Sequence, residues 1–306
     1  MDSNKDFILR IIDDIRRGKP DSIDAYLKKI EYASVIDGTK TIFYGHIINL
    51  DANGKARTED FIAFIARHIV SYVIPRSRIE EAHKKDREEG LDTHVARLAE
   101  DARRLFTPLK NTGEGGEMLL FILGEVVLGL PQLFCKMSVK TSGKMHFHGA
   151  DGVHVDFKDE TLNLYWGESK LYKSFSSALK KCLESISPIL NKKDDADHED
   201  LLLLQTHLDL GNPEHTKMIK HFLNKDSPEF NSVKYCGLCL IGFNKDIYST
   251  TTTSAIIESH VKEWKKEIGE QLKNTKLTEF SMHFFCLPVE CVDNFRKIFL
   301  QKLGVT

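Results

Sequence analysis

Two carboxylates and one lysine lie at the open end of a predicted β-hairpin. Between residues 149 and 172, apolar and aromatic residues alternate with polar ones on both sides of a polar turn at 158–160, which is typical of two antiparallel strands. Asp151 precedes the first strand, whereas Glu168 and Lys170 end the second and point to the same face because they are two residues apart. Two carboxylates beside an amine suit Mg²⁺, and the lysine could orient or help deprotonate an attacking water, or neutralise the charge of a phosphate.

An exposed strand face offers a plainer explanation, because Glu-x-Lys pairs are common there without any catalytic role. Three features favour a metal site instead: the glycines beside Asp151, the glycine directly before Glu168, and the helical pattern that follows the hairpin. An Asp, a gap and then Glu-x-Lys on a strand resemble the core of the PD-(D/E)xK nuclease pattern. We therefore expect Mg²⁺, or Mn²⁺ in its place, at Asp151 and Glu168.

A third carboxylate precedes the hairpin, in the run Gly-Glu-Gly-Gly-Glu-Met-Leu-Leu-Phe-Ile-Leu-Gly-Glu at 113–125. The glycines predict a loop, and the apolar residues predict a mostly buried helix that begins near Glu117. In the first turn of that helix, Glu117 could simply complement the helix dipole. Alternatively, many nucleases of this fold supply a further carboxylate from the helix before the hairpin, and Glu117 would then face the metal. Glu125, further along the same helix, is the reserve candidate.

Length and composition are those of an ordinary globular protein with enough material for a buried core. The chain has 306 residues, 41% of them hydrophobic and 29% charged, and its formal net charge of -2 gives no global sign of nucleic-acid binding. Its six cysteines lie mostly inside apolar runs, which fits reduced thiols in a core. No apolar run has the length of a membrane span and the N-terminus does not resemble a signal peptide, so we expect a cytoplasmic protein with no membrane partner.

The helical and strand patterns predict an α/β (α+β) fold with a central mixed sheet flanked by helices. Residues 1–106 are expected to form a mainly helical N-terminal region, in which an apolar stripe over 7–15 predicts a first helix and Ser22 could cap a second. Residues 107–306 are expected to form a nuclease-like core with a C-terminal α/β extension, and the two regions could also be one continuous domain. Further strands are expected at 39–50, 133–139, 144–148, 234–243 and 280–287, and further helices at 58–73, 79–106, 171–190, 201–208, 254–272 and 289–303.

Two groups of basic residues could contact a phosphate backbone. The segment 79–106 and the residues just before it are rich in arginine and lysine, and they form either a solvated connecting helix or a surface that touches DNA or a partner. Near the hairpin, basic side chains could form a local rim around the site, or they could be scattered surface residues. These residues are Lys136, Lys140, Lys144, His146 and His148.

The last third of the chain carries two weaker metal patterns. Cys236-x-x-Cys239, together with His283 and Cys286, could bind zinc, but all four residues also fit two buried strands, so we expect core packing. An acidic run at 194–200 lacks the glycine and the terminal Glu of a calcium loop, and is expected to place negative charge at a helix N-terminus. The chain has no G-x-x-x-x-G-K-[ST] phosphate loop and no G-x-S-x-G elbow, so we expect neither P-loop ATP hydrolysis nor serine hydrolysis.

Three runs together resemble the HamA family: G-A-D-G-V-H-V at the start of the hairpin, the strand L-N-L-Y-W-G-E-S-K-L-Y, and the preceding helix G-E-G-G-E-M-L-L. The resemblance covers residues 30–300. Members of this family are the effector subunit of the Hachiman anti-phage defence system, which implies a metal-dependent DNA nuclease that works with a helicase subunit, HamB. Carried over to this sequence, Asp151 and Glu168 are metal ligands, Lys170 is the catalytic lysine and Glu117 is the helix carboxylate.

A non-catalytic subunit is the alternative function. In that case the charges of the hairpin are structural, the charged segment 79–106 is the interface, and the chain binds DNA or restrains a helicase partner. Metal dependence discriminates between the two hypotheses, because a nuclease site should gain thermal stability from Mg²⁺ or Mn²⁺ whereas a docking module should be indifferent to both.

Overall fold

A mixed β-sheet with helices on both faces forms the centre of the molecule. A computed structural model describes residues 2–17, 23–106, 113–139, 150–191, 199–249 and 252–305. Within these ranges the strands are β1 (Leu27–Val35), β2 (Thr41–Ile48), β3 (Gln132–Cys135), β4 (Gly152–Lys158), β5 (Thr161–Tyr172), β6 (Val233–Asn244) and β7 (Met282–Val289). The helices are α1 (Asp2–Asp14), α2 (Thr58–Ala66), α3 (Ile69–Val73), α4 (Arg76–Glu89), α5 (Thr93–Arg104), α6 (Glu114–Ile122), α7 (Phe175–Asn191), α8 (Glu199–His207), α9 (Pro213–Phe222), α10 (Ser254–Asn274) and α11 (Val292–Leu303).

The strands follow the order β1-β2-β7-β6-β5-β4-β3 across the sheet. The central strands β2, β7, β6 and β5 run parallel to one another, whereas β1 is antiparallel to β2, and β4 and β3 continue antiparallel beyond β5. The parallel strands are apolar on both faces, because helices cover both sides of them. In β6, Leu238 and Leu240 belong to the core on one face, and Cys239 and Ile241 to the core on the other. The predicted α/β fold with a central mixed sheet is confirmed.

Each face of the sheet has its own layer of helices. The core on one face includes buried residues of α2, α3, α6 and α11, and the core on the opposite face includes buried residues of α1, α7, α8, α9 and α10. Two of these helices, α6 and α7, pack against β5. The polar residues at the end of β5 therefore lie between two helical layers that hold the strand in place.

The hairpin that the sequence predicts is present as β4 and β5. Its turn has Asp159 at φ 50° and Glu160 at φ 60°, and two left-handed residues in succession give a turn whose twist matches that of the strands. The pairing of the two strands ends at Gly152 opposite Gly167, whereas β5 continues beside β6 as far as Tyr172. The last part of β5 thus extends beyond the start of β4.

The expectation of a second helix after Ser22 is wrong. Residue 22 itself lies outside the described residues, and the chain that follows makes a short 3₁₀ turn, Ile23–Ala25, and then strand β1. The physical reason is tertiary pairing, since β1 hydrogen-bonds along the edge of β2 and this contact overrides the local preference of the sequence. The pairing is irregular, because the register shifts between Lys29 and Glu31 and again before Ser34.

Other elements also differ from the sequence expectations. The helices expected at 58–73 and 79–106 are each interrupted, the first forming α2 and α3 and the second α4 and α5. The strand expected at 133–139 is shorter, because β3 ends at Cys135 and Lys136–Val139 forms a 3₁₀ turn. Helix α9 is absent from those expectations, although its start carries a recognisable signal: the Asn212 side chain accepts a hydrogen bond from Glu214 N at 2.8 Å.

Several expectations concern residues that the structure does not describe. The strand at 144–148 and most of the acidic run at 194–200 lie outside the described ranges, as does the boundary between the two predicted regions. Strands β1 and β2, from the first region, lie in the same sheet as the strands of the second, and the division at 106/107 stays a prediction. In the described parts of the chain, no helix combines the length and apolar character that crossing a membrane requires.

Candidate functional site

The candidate site begins at Asp151, directly before β4. Its backbone N–H donates to Gly167 O at 2.8 Å, and its side-chain Oδ2 accepts from Ser169 N at 2.8 Å. Asp151 is only 5% exposed. These contacts fix the carboxylate beside the part of β5 that extends past β4, as the hairpin pattern in the sequence predicts.

Glu168 and Lys170 lie on that extending part of β5 and form an ion pair with each other. Glu168 is 3% exposed, whereas the Lys170 side chain keeps 23% of its surface exposed. Behind the strand, the Cys182 thiol of α7 donates to the carbonyl oxygen of Glu168 at 3.7 Å. Glu168 also lies close enough to Asp151 for their two charges to interact. The structure thus brings the three hairpin residues together.

Glu117 reaches the same place because α6 packs closely on β5. A Cβ on Gly116 would overlap Leu171 Cδ1 and would lie 3.1 Å from Ser169 Oγ, so an added side chain would have to displace Leu171 or the helix. The expectation that these glycines form a loop is wrong for Gly115 and Gly116, because α6 begins at Glu114 and contains both. Glu117 is buried, and its Oε2 accepts a hydrogen bond from the hydroxyl of Tyr72 at 3.5 Å.

Lys136, which the sequence indicated only as one of several basic residues near the hairpin, lies inside the site. It follows β3 directly, and its Nζ lies 2.5 Å from Asp151 Oδ1 and 3.5 Å from Glu117 Oε1. Its side chain is only 17% exposed, so it is neither a rim residue nor a scattered surface lysine. One feature of the sequence could have indicated its place. Lys136 ends an apolar strand, and that strand pairs with the one that follows Asp151.

Glu125, the reserve candidate, has a different set of partners. Its Oε1 accepts a hydrogen bond from Gln132 N at 2.8 Å and lies 3.8 Å from both Arg17 Nε and Arg76 Nη2. Glu117 therefore lies with Asp151, whereas Glu125 lies with the two arginines.

The crowding of buried charge changes the proton affinity of several groups in the site. Burial raises the pKa of Glu168, and the nearby charge of Asp151 raises it further, against the opposing effect of Lys170. Burial alone would lower the pKa of Lys136, but the charges of Asp151 and Glu117 outweigh it and raise that pKa. Burial alone would also lower the pKa of Lys170, but the charges of Glu168 and Asp151, with the hydrogen bond to Glu168, together outweigh it and raise that pKa. Both lysines are therefore cations at neutral pH.

The fit of a divalent metal depends on where Lys136 lies. Among the described residues, no three His, Cys, Asp or Glu side chains are grouped so that they could hold a metal ion as they stand. Glu117, Asp151 and Glu168 nevertheless supply the hard oxygen donors that Mg²⁺ prefers, and Lys136 holds a positive charge between two of them. The donor set fits a divalent cation chemically, on condition that the Lys136 ammonium withdraws from between Asp151 and Glu117.

The zinc alternative is not supported by the geometry. Cys236 and Cys239 belong to cores on opposite faces of the sheet, and both are buried. His283 Nδ1 lies 3.1 Å from the Tyr44 hydroxyl, on the same face as Cys236, whereas Cys286 packs with Cys239. The expectation of core packing for the cysteines is confirmed.

The charged segment before the site forms the two helices α4 and α5. Many of its charges pair within the segment itself, for example Lys85 with Glu81 at 2.6 Å and Arg78 with Asp101 at 3.5 Å. This agrees with a solvated pair of helices, and a role in contacting DNA or a partner stays a prediction. Of the basic residues expected near the hairpin, Lys140, Lys144, His146 and His148 lie outside the described residues.

Comparison with known proteins identifies the family of this chain. No curated protein matches the chain. The HamA family model, however, matches residues 24–303, which includes every element from β1 to the end of α11 and all five charged residues of the site. Because the match extends over nearly the whole chain, this protein belongs to the HamA family.

Proposed function

We propose that this chain is a metal-dependent DNA nuclease, the effector of a Hachiman anti-phage defence system. The observation that carries the proposal is the convergence of three buried carboxylates and two lysines at the end of β5: Glu117, Asp151 and Glu168 with Lys136 and Lys170. Burying five charged side chains in one place costs free energy, and the packing of the core does not require charged residues there. Perturbed groups of this kind are concentrated at functional sites.

Asp151 and Glu168, with Glu117, are the residues that would hold Mg²⁺ or Mn²⁺. A divalent cation at this place supplies neutralisation of the phosphodiester charge and a more acidic water. The protein contributes rigid positions for the donors, since Ser169 N holds Asp151 and the Tyr72 hydroxyl holds Glu117. The pKa of Tyr72 is raised well above its ordinary value, first by burial, so the hydroxyl stays a donor.

Lys170 is the proposed catalytic lysine. Its raised pKa keeps it protonated, so it would act as a cation that orients the attacking water and offsets negative charge in the transition state, and not as a base. Its partial exposure, 23% of the side chain, leaves it accessible to a substrate while Glu168 holds its ammonium group.

The proposed partners are DNA and a helicase subunit of the HamB type. Family membership supports this assignment. The chain has no P-loop motif, so a separate subunit would consume any ATP that the system uses. That division of labour would leave this chain with the cutting step alone.

Cleavage of plasmid and linear DNA by the purified chain tests the proposal, with and without the helicase partner and ATP, in Mg²⁺, Mn²⁺ or EDTA. We expect metal-dependent cutting that the double variant Glu168→Ala/Lys170→Ala loses and that Lys180→Ala, a change at an exposed position of α7, retains. Cutting only in the presence of the partner would show that the partner controls the site. Cutting by the double variant at the wild-type rate would overturn the assignment.

A non-catalytic DNA-binding or regulatory subunit is the second candidate function. The observation that favours it is that the lysines already neutralise most of the carboxylate charge, and that the described residues offer no preformed metal group. Thermal unfolding discriminates the two: Mg²⁺ or Mn²⁺ should stabilise a nuclease site in proportion to occupancy, and Asp151→Asn should remove that gain. Indifference to metal, together with normal partner binding, would favour the regulatory subunit.

A further inference from the structure

A small cavity lies next to the candidate site, between the end of α1, the start of α4 and strand β3. Its volume is about 40 Å³, and Arg17, Arg76 and Ser138 are among the residues that line it. A volume of this size holds about three water molecules, and so one small ion, whereas binding sites for larger ligands have volumes of several hundred Å³. The cavity therefore suits a single compact group.

The two arginines carry hydrogen-bond donors that nothing in the described structure satisfies. Arg17 Nη1 and Arg76 Nη2 are buried and have no hydrogen-bond partner among the described residues. Their ion pairs with Glu125 are both long, at 3.8 Å to the same oxygen, Oε1, which already accepts a hydrogen bond from Gln132 N. Buried donors without partners are rare and call for an explanation.

The electrostatics of the cavity favour an anion. The pKa of Arg17 is lowered to about 10, first by burial and then by the charge of Arg76, and the charge of Glu125 offsets only part of this lowering. Arg76 also begins α4, where Pro75 is the N-cap, no side chain caps the helix and no acidic residue lies in the first turn. The positive end of this helix dipole adds to the charge of the two guanidinium groups.

Two acidic residues oppose this potential. Asp209 lines the cavity, but its carboxylate accepts hydrogen bonds from the Ser77 hydroxyl and from Gly211 N, the latter at 2.9 Å. Glu80 lies close enough to Arg76 to interact with its charge. Neither residue forms a hydrogen bond with the unsatisfied guanidinium nitrogens. The two guanidinium nitrogens therefore still have no hydrogen-bond acceptor among the described residues.

We propose that this cavity is a binding pocket for a single phosphate group. Guanidinium groups bind tetrahedral oxyanions through paired N–H donors, and the phosphate oxygens would satisfy Arg17 Nη1 and Arg76 Nη2. The pocket adjoins the candidate site, because Tyr72 lines the pocket while its hydroxyl donates to Glu117, and Cys135 lines it directly before Lys136. Resting on the proposed nuclease function, we expect a neighbouring or terminal phosphate of the cut nucleic acid to bind here.

Inorganic phosphate is the first probe, tested on the full chain in EDTA by isothermal titration and thermal unfolding against chloride at equal ionic strength. We expect saturable binding that Arg76→Lys and Arg17→Lys each weaken at least tenfold, since lysine keeps the charge but not the paired donors. Arg104→Lys, at an exposed position of α5, should bind as the wild type does. Absence of saturable binding in the wild type, or unchanged binding in both pocket variants, would overturn the proposal.

The source of the phosphate is distinguished by competition with DNA. Duplexes of one sequence, with and without 5′-terminal phosphate, are bound in EDTA while inorganic phosphate is added. Competition, with tighter binding of the phosphorylated duplex, assigns the pocket to a phosphate of the nucleic acid. Phosphate binding without competition assigns it to free phosphate. Neither readout requires cleavage, so the pocket can be tested even if the chain is not a nuclease.

Discussion

At the scale of single residues, the balance of charge in the site decides what each side chain can do. Lys136 contacts two of the carboxylates, Asp151 and Glu117, that a divalent cation would also need. The ammonium and the cation repel each other, so they compete for the same oxygens. Removal of Lys136 should therefore affect metal binding in the direction opposite to removal of a ligand.

Lys136→Met should bind Mg²⁺ more tightly than the wild type, because the competing charge is gone. In EDTA the same variant should be less stable by about 1–3 kcal/mol, since two buried carboxylates lose their counter-charge. Calorimetric titration with Mg²⁺ and urea unfolding measure the two effects. Lys180→Met, at an exposed position of α7, is the matched control. Weaker Mg²⁺ binding by Lys136→Met would contradict competition and would make Lys136 a supporting residue of the metal site.

Lys170→Ala should reduce DNA cleavage by at least about a hundredfold while the fold is retained, because an oriented cation in the transition state is lost. Its partially exposed side chain makes little contribution to the core. Initial cleavage rates and urea unfolding of the same preparation measure the two quantities. Lys173→Ala, on the exposed side of the next turn, serves as the control. A stable, fully active Lys170→Ala would remove this residue from the mechanism.

The three site residues of the hairpin differ from Lys136 in how their positions are encoded. Asp151, Glu168 and Lys170 lie on one hairpin, where strand periodicity and a short turn determine which side chains meet. Lys136 comes from a 3₁₀ turn after β3, and its place depends on how β3 pairs with β4. The pairing of β3 with β4 cannot be predicted from local periodicity. The sequence therefore indicated Lys136 only as one basic residue among several.

At the scale of secondary-structure elements, the distance between α6 and β5 determines whether Glu117 belongs to the site. The helix approaches the strand at Gly116, where a side chain would overlap Leu171. The sequence pattern indicated a helix near Glu117 but attributed the glycines to a loop, because glycine usually interrupts helices. Close packing between a helix and a strand is a tertiary property, and the local sequence does not distinguish it from a turn.

Gly116→Ala should destabilise the protein by about 1–3 kcal/mol, because the added methyl group has no room and must displace Leu171 or the helix. In an open helix the same change would stabilise by about 1 kcal/mol. Gly269→Ala in α10 is the control, since its Cβ would meet only Ile36 Cγ2, at 3.2 Å. Urea unfolding measures both variants. If Gly116→Ala is as stable as Gly269→Ala, the close approach of α6 does not determine the position of Glu117.

At the scale of the whole molecule, packing in the sheet keeps several histidines neutral, among them His46 and His283. Burial lowers the pKa of His46 to about 4, with a further contribution from the charge of Lys29, and burial also lowers the pKa of His283 to about 4. The unfolded chain takes up these protons near the ordinary histidine pKa of about 6.5. Because the unfolded state binds more protons between these values, stability falls as the pH falls from about 6.5 to about 4.

His46→Leu should make that acid dependence shallower by one proton. Between about pH 4 and about pH 6.5, the slope of the free energy of unfolding against pH should be smaller than in the wild type. The difference should be about 1.4 kcal/mol per pH unit. Urea unfolding at several pH values between 4 and 7 measures the slope. Ile48→Leu, at a buried position of the same strand that carries no titratable group, should leave it unchanged. Equal slopes for His46→Leu and the wild type would show that His46 titrates normally in the folded protein.

The class of the fold could be predicted from the sequence, but the order of its strands could not. Alternating apolar residues indicated β2, β6 and β7, and helical stripes indicated α7 and α10. The pairing of β2 with β7 joins segments from opposite ends of the chain, and it inserts β7 between β2 and β6. Such long-range pairing depends on how complete elements pack, and it leaves no trace in local periodicity.

The irregular edges of the sheet restrict the ways in which another protein can bind. At one edge, the register of β1 shifts twice along its pairing with β2, and Ala33 has a positive φ of 54°. Among the described residues, the strand at the other end of the sheet is β3, which has only 4 residues. Bulged or very short edge strands disfavour the addition of a foreign strand and so protect against aggregation through the sheet. A partner of this protein should therefore recognise side chains on helices and turns, and should not extend the sheet by backbone hydrogen bonding.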